Sequence, residues 1–108
     1  IVVYCEYGSV NDLRGGKMYN DWLKLYIEWI RNGYTTKDFI CPECGSKSVE
    51  CVYVGNPALR IGYLPIWCNH CNKGTRICRV EIPQGVHMID FEDLESIRNR
   101  IPNYKYVD

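Results

Sequence analysis

Apolar and polar positions follow two rhythms along this chain. From Tyr19 to Asn32, polar residues recur at Asn20, Lys24, Glu28 and Arg31/Asn32, a spacing that predicts a helix. Gly33 stands where such a helix stops. The other positions of that segment, including Trp22, Leu23, Tyr26, Ile27, Trp29 and Ile30, are apolar over an arc wider than a one-sided surface helix needs. The helix is therefore expected either to be covered on two sides or to offer Trp22, Tyr26, Trp29 and Ile30 to a protein partner or a second copy of the chain.

After Gly45 the period changes to two. Val49–Val54 is rich in β-branched and aromatic residues and is followed by the turn signal Gly55-Asn56-Pro57. Leu59, Ile61, Tyr63 and Trp67 then alternate with Arg60, Gly62, Leu64 and Ile66. Pro65 interrupts that run and predicts an edge strand or a bulge. A third strand is expected over Thr75–Ile82, with Cys78, Val80 and Ile82 on one face and Thr75, Ile77, Arg79 and Glu81 on the other. Pro83-Gln84-Gly85 ends it. A last helix is predicted with Asp90 as its N-cap and Glu92 and Asp93 in its first turn. Leu94, Ile97 and Ile101 keep helical spacing, and Pro102 stops it. Ile1–Cys5 reads as a further short strand. The expected fold class is α+β, in two parts packed as one small unit: residues 1–38 with the Trp-rich helix, and residues 39–108 with a three-stranded antiparallel β unit and a short C-terminal helix.

The cysteines change this picture most. Seven occur in 108 residues, an odd number that argues against a fully disulfide-paired secreted domain. Cys41 and Cys44 form one C-x-x-C, and Cys68 and Cys71 form another. Two intervening residues let a tight turn aim both sulfurs at one point. Pro42 presets its own φ, and Gly45 and Gly74 are free to take φ > 0 and turn backbone N–H groups toward the sulfurs. Four thiolates converging in a tetrahedron are the ligand set of structural zinc, a closed site with no position left for water or substrate. A chain this short buries only about 60–68% of its unfolded surface, and metal binding, on the order of 10–16 kcal/mol at such sites, stabilises the rest. Rubredoxin-like iron uses the same cage. A thioredoxin-type C-x-x-C lacks its βαβ context here, and two disulfides or an empty site are the remaining alternatives.

The run Cys41-Pro42-Glu43-Cys44-Gly45, the second knuckle followed by Gly74, and three strands after the first knuckle resemble the zinc-ribbon superfamily. The resemblance covers about residues 39–82. It implies a three-stranded antiparallel ribbon with zinc held by Cys41, Cys44, Cys68 and Cys71. Zinc ribbons occur in transcription factors, ribosomal proteins, topoisomerases, enzyme insertions and docking modules, so the resemblance assigns a site and not a role.

Charge gives the alternative function. The chain has 13 basic and 13 acidic residues, which excludes a uniformly basic nucleic-acid coat. Within it, residues 41–80 carry five basic and two acidic residues, and residues 81–108 carry three and six. Arg60, Lys73, Arg76 and Arg79, with Tyr63 and Trp67 as stacking platforms, would make a nucleic-acid face. The plainer reading is a solvated surface neutralised by the acidic C-terminal helix. His70, inside the second knuckle, is expected to point outward. His87 is expected on the surface, and Cys78 as a small buried hydrophobe. No phosphate loop, serine elbow or paired-carboxylate pattern occurs, so no enzyme is expected. The expected protein is a cytoplasmic, non-enzymatic, zinc-binding interaction module, with nucleic-acid binding as the alternative and no membrane or small-molecule partner.

Overall fold

The structure, a computed structural model, describes residues 16–107, with side chains from Asn20 onward. The strand expected at Ile1–Cys5 lies outside the described residues. The elements are α1 (Gly16–Arg31), β1 (Val49–Cys51), β2 (Tyr53–Asn56), β3 (Ile61–Cys68), β4 (Lys73–Glu81), β5 (Met88–Asp90), α2 (Leu94–Arg100) and β6 (Lys105–Tyr106). They form one six-stranded sheet in the order β5-β2-β3-β4-β6, with β1 pairing β3 on the same side as β2. β3 pairs antiparallel with β1, β2 and β4, whereas β2–β5 and β4–β6 are parallel. The sheet is therefore larger than the expected three strands, and mixed rather than purely antiparallel. β5 and β6 escape a pattern-based reading because three and two residues are too few to display a period.

Pro65 lies in the central strand and not at an edge. It faces Arg76 of β4 on one side. On the other side its carbonyl accepts from Val52 N–H at 3.3 Å. Proline has no N–H to return to Val52, and the ladder breaks there. What would be a single strand from Val49 to Asn56 becomes β1 and β2. A second irregularity lies in β4, where Gly62 faces Val80 but Tyr63 faces Cys78. The extra residue, Arg79, has φ 58° and forms a bulge. A bulge shifts the alternation by one, so Ile77, Val80 and Ile82 share one core. Cys78 is half-buried and disulfide-bonded, not the buried thiol that simple alternation predicts.

Both faces of the sheet are covered. On one, Trp22 and Trp29 of α1 pack against Tyr53, Leu64, Ile66 and Ile77. Tyr26 Oη and Tyr53 Oη are 3.1 Å apart, and the Trp29 ring lies 5.2 Å from that of Tyr53. Trp22 is fully buried. The wide apolar arc of α1 is thus used inside the fold: of the four residues expected to meet a partner, only Ile30 is exposed, beside Ile27. The helix ends as its glycine predicts. Gly33 takes φ 77°, Tyr34 N–H reaches back to Trp29 C=O at 2.7 Å, and the two rings meet edge-on at 5.1 Å. That is a Schellman cap with its apolar contact.

On the other face, Val52, Val54, Trp67 and Ile89 form a second core closed by Ile97, Ile101 and Tyr104. Its helix begins later than expected. Asp90 closes β5 and accepts Glu92 N–H at 3.0 Å. Asp93 is the true N-cap, accepting Ser96 N–H at 3.2 Å and Ser96 Oγ–H at 2.8 Å. Leu94, expected in the apolar stripe, is exposed. Among the described residues, no helix is long and apolar enough to cross a membrane.

Candidate metal centre

The register of β1 on β3 builds the site. Val49 faces Cys68, and Asn69 N–H donates to Ser48 C=O at 2.9 Å. The chain leaving the first knuckle is thereby held beside the second, which caps the β3–β4 hairpin. The sulfurs of Cys41, Cys44, Cys68 and Cys71 all lie within 4.8 Å of one another. Cys41–Cys71 and Cys44–Cys68 are each separated by 3.7 Å. A tetrahedron with metal–sulfur bonds near 2.3 Å has edges of about 3.8 Å, so the donor set fits a tetrathiolate metal ion. The four are free cysteines.

The two knuckles are copies of one another. In the first, Gly45 N–H donates to Cys41 C=O at 2.9 Å, and in the second Asn72 N–H donates to Cys68 C=O at 2.9 Å. Glu43 N–H donates to Cys41 Sγ at 3.2 Å, and His70 N–H to Cys68 Sγ at 3.3 Å. Gly45 takes φ 78° as expected, but its counterpart is Asn72 at φ 60°, not Gly74. Asparagine tolerates this region better than most residues. Setting the two knuckles side by side, with Gly45 and Asn72 each directly after the second cysteine, identifies it. Gly74 answers a different need. A Cβ there would collide with the Ile66 carbonyl and with Trp67 Cα on the facing strand.

The four thiols are not equivalent. Burial pushes Cys41 up to about 12, although N–H groups of Cys44 and Glu43 oppose it. Cys71 is also raised by burial. Cys44 is exposed and held down to about 5, first by the Ser46 hydroxyl and then by the Ser46 N–H. Cys68 is lowered too: burial works against this, and the Ser46 hydroxyl with the N–H groups of Cys71 and His70 outweighs it. Ser46 Oγ lies 3.3 Å from both Cys44 Sγ and Cys68 Sγ. It therefore joins the two knuckles outside the candidate ligand set, and its one proton stabilises thiolate charge on one sulfur at a time. Spacing of ligands alone did not single it out. The signal available was a hydroxyl two residues after Cys44. His70 is exposed, as expected of a residue between the two cysteines of a knuckle, and its side chain adds a smaller downward push on the Cys44 thiol.

The residues expected to form a nucleic-acid face are dispersed. Arg60 is half-buried, and its guanidinium donates to the carbonyls of Ile82, Pro83 and Val86. It is occupied as a clasp on the loop between β4 and β5. Arg79 and Lys73 are both exposed but six positions apart on β4, about 20 Å at strand rise. Arg76 lies between, with its guanidinium over the rings of Tyr63 and Tyr106 at 5.3 and 5.5 Å. Trp67 is buried beneath Tyr104, stacked at 5.8 Å, and is no open platform. His87 is exposed. Comparison with protein-family models, curated proteins and solved structures finds no match.

Proposed function

We propose that this protein is a non-enzymatic interaction module whose fold is secured by one structural zinc ion on Cys41, Cys44, Cys68 and Cys71, in a zinc-ribbon-like centre. The observation that carries this reading is the sulfur spacing, which matches the edges of a zinc tetrathiolate. Four protein sulfurs fill a tetrahedral ion's coordination, so zinc here anchors the two knuckles and the strands they join, with no position for substrate. Backbone N–H groups and Ser46 supply outer-shell support at the same sulfurs.

Elemental analysis of the purified full chain tests this. One zinc per chain is expected, and substitution by cobalt should give the intense visible absorption of a tetrahedral thiolate site. Cys44→Ser and Cys71→Ser should each lose stoichiometric zinc and unfold at lower temperature. Iron as the resident metal, or full zinc content with normal folding in both variants, would overturn the proposal.

A further inference from the structure

The outer edge of β5 is open, and a groove runs along it. Phe91 N–H donates to Gly55 C=O at 2.9 Å, and Asp90 faces Gly55 in the parallel β2–β5 ladder. Backbone groups alternate sides along a strand. Ile89 therefore turns its N–H and C=O toward β2, as Phe91 turns its N–H, while Met88 and Asp90 turn theirs outward. β5 ends the strand order, so no described strand takes them. Asp93 N–H donates to Asp90 C=O at 2.9 Å. That leaves the Met88 N–H and C=O and the Asp90 N–H without a partner among the described residues. The other edge is guarded. β6 carries Lys105, beside Lys73 of β4, and lysine on an outer strand discourages pairing. β5 has neither lysine nor proline.

A recess of about 500 Å³ lies along this edge, between Met88–Asp90 and the side of α2 that carries Ser96 and Asn99, with the cap Asp93. Those three residues are three apart and stand on one side of the helix. A second recess, of about 390 Å³, continues from the first, since His87 and Arg100 line both. Its walls include the rings of Trp29 and Tyr34, with Cys51 and Val86. The charged residues lining the two recesses are Glu50, Asp90 and Asp93 against Arg100, so acidic groups exceed basic ones by 3 − 1 = 2. An open strand edge beside a helix, with an apolar recess at one end, is the geometry of β-strand addition. Main-chain hydrogen bonds then give affinity, and pockets for alternate side chains give specificity. The unpaired edge calls for backbone donors and acceptors at strand spacing. The acidic lining selects basic side chains, and the second recess selects an apolar one.

We infer that the β5 edge binds an extended peptide segment of another protein as an added strand, with basic side chains along the groove and an apolar side chain beside Trp29 and Tyr34. The inference rests on the interaction-module reading and gives it a class of partner. None of Cys41, Cys44, Cys68 and Cys71 lines either recess, so this site and the zinc assignment fail separately.

The test uses the metal-loaded full chain and the peptide acetyl-Leu-Lys-Val-Lys-Leu-amide, whose palindromic order suits either strand direction. Amide hydrogen exchange followed by NMR reads the edge directly. In the free chain the Met88 and Asp90 amides should exchange fast and the Ile89 and Phe91 amides slowly. Peptide at about ten times its Kd should slow Met88 and Asp90 about tenfold. N-methylation of the three central peptide residues removes their donors and should weaken binding at least about tenfold. Glutamate in place of both lysines should weaken it at least about tenfold by charge, and serine in place of both leucines should do so by loss of apolar burial. Thr36→Arg places a cation in the second recess and should also weaken binding. Metal content and thermal unfolding are measured on the same samples, which tests the zinc assignment separately. The N-methyl comparison on the unsubstituted chain decides if Thr36→Arg unfolds early. No binding at about 2 mM peptide by chain with full metal content overturns the inference. So does an N-methylated or glutamate peptide that binds as well as the first, or unchanged exchange at Met88 and Asp90. Slow exchange of those two amides in the free chain overturns it too. The edge is then covered by the chain itself or, where protection grows with protein concentration, by a second copy.

Discussion

Gly74→Ala tests the account of how β3 and β4 approach one another beside the metal centre. The added Cβ would lie 2.6 Å from Trp67 Cα and 2.8 Å from Trp67 Cβ, and closer still to the Ile66 carbonyl. Real Cβ atoms essentially never come within 3.0 Å of such neighbours. None of the three is the end of a flexible side chain, so relief requires the strands to part at the Trp67–Gly74 pair. Overpacking of this kind costs about 1–3 kcal/mol, and each ladder hydrogen bond weakened adds about 1 kcal/mol. A total of about 3 kcal/mol corresponds to a fall in melting temperature of roughly 12–24 °C for a domain of this size. Gly85→Ala is the control. Gly85 has φ 85° with nothing within 4 Å of its Cβ position, so the cost is the left-handed conformation alone, about 1–2 kcal/mol. Thermal and urea unfolding of the metal-loaded protein compare the two. Equal melting temperatures for Gly74→Ala and the parent, or a larger loss for Gly85→Ala, would refute the close-approach argument.

Three further outcomes follow from contacts already described. Arg60→Ala removes donors to three loop carbonyls and should lower stability in urea by about 2–3 kcal/mol. Asp93→Ala should lower the melting temperature by removing the α2 N-cap. The Ser96 hydroxyl and N–H hold the Asp93 carboxyl below its ordinary range. The contribution is therefore present at neutral pH and lost as pH falls through that depressed value, so the parent and Asp93→Ala should converge in acid. Cys51 is buried, and burial raises its thiol well above the ordinary range, so iodoacetamide at neutral pH should leave it unlabelled until the protein is denatured, as peptide mass mapping would show.

Local chemistry made the four-cysteine cluster legible in the sequence, because a C-x-x-C knuckle is a short-range device whose cysteines and turn residues are neighbours in the chain. The same holds for α1 and its stop at Gly33, where helical spacing and the left-handed glycine lie within one segment, and for the strands around Tyr63 and Ile77. What failed did so at positions governed by the facing strand. Pro65 looked like an edge residue, but its missing N–H is absorbed by a break at Val52. Gly74 looked like a turn residue, but it makes room for Trp67. Cys78 lies on the face opposite to the one simple alternation predicts, because one bulged residue, Arg79, reverses the alternation on either side of it.

The sequence by itself determined the donor set, the main helix and the existence of the central strands, since each depends on residues within a turn or a pleat of one another. Only the tertiary structure decided that the Trp-rich face of α1 lies inside, that Arg60 is a clasp, and that Lys73 and Lys105 stand side by side. Those outcomes depend on which strands pair and in what register. Pairing is set by the joint burial of both sheet faces, and no local pattern of side chains contains it.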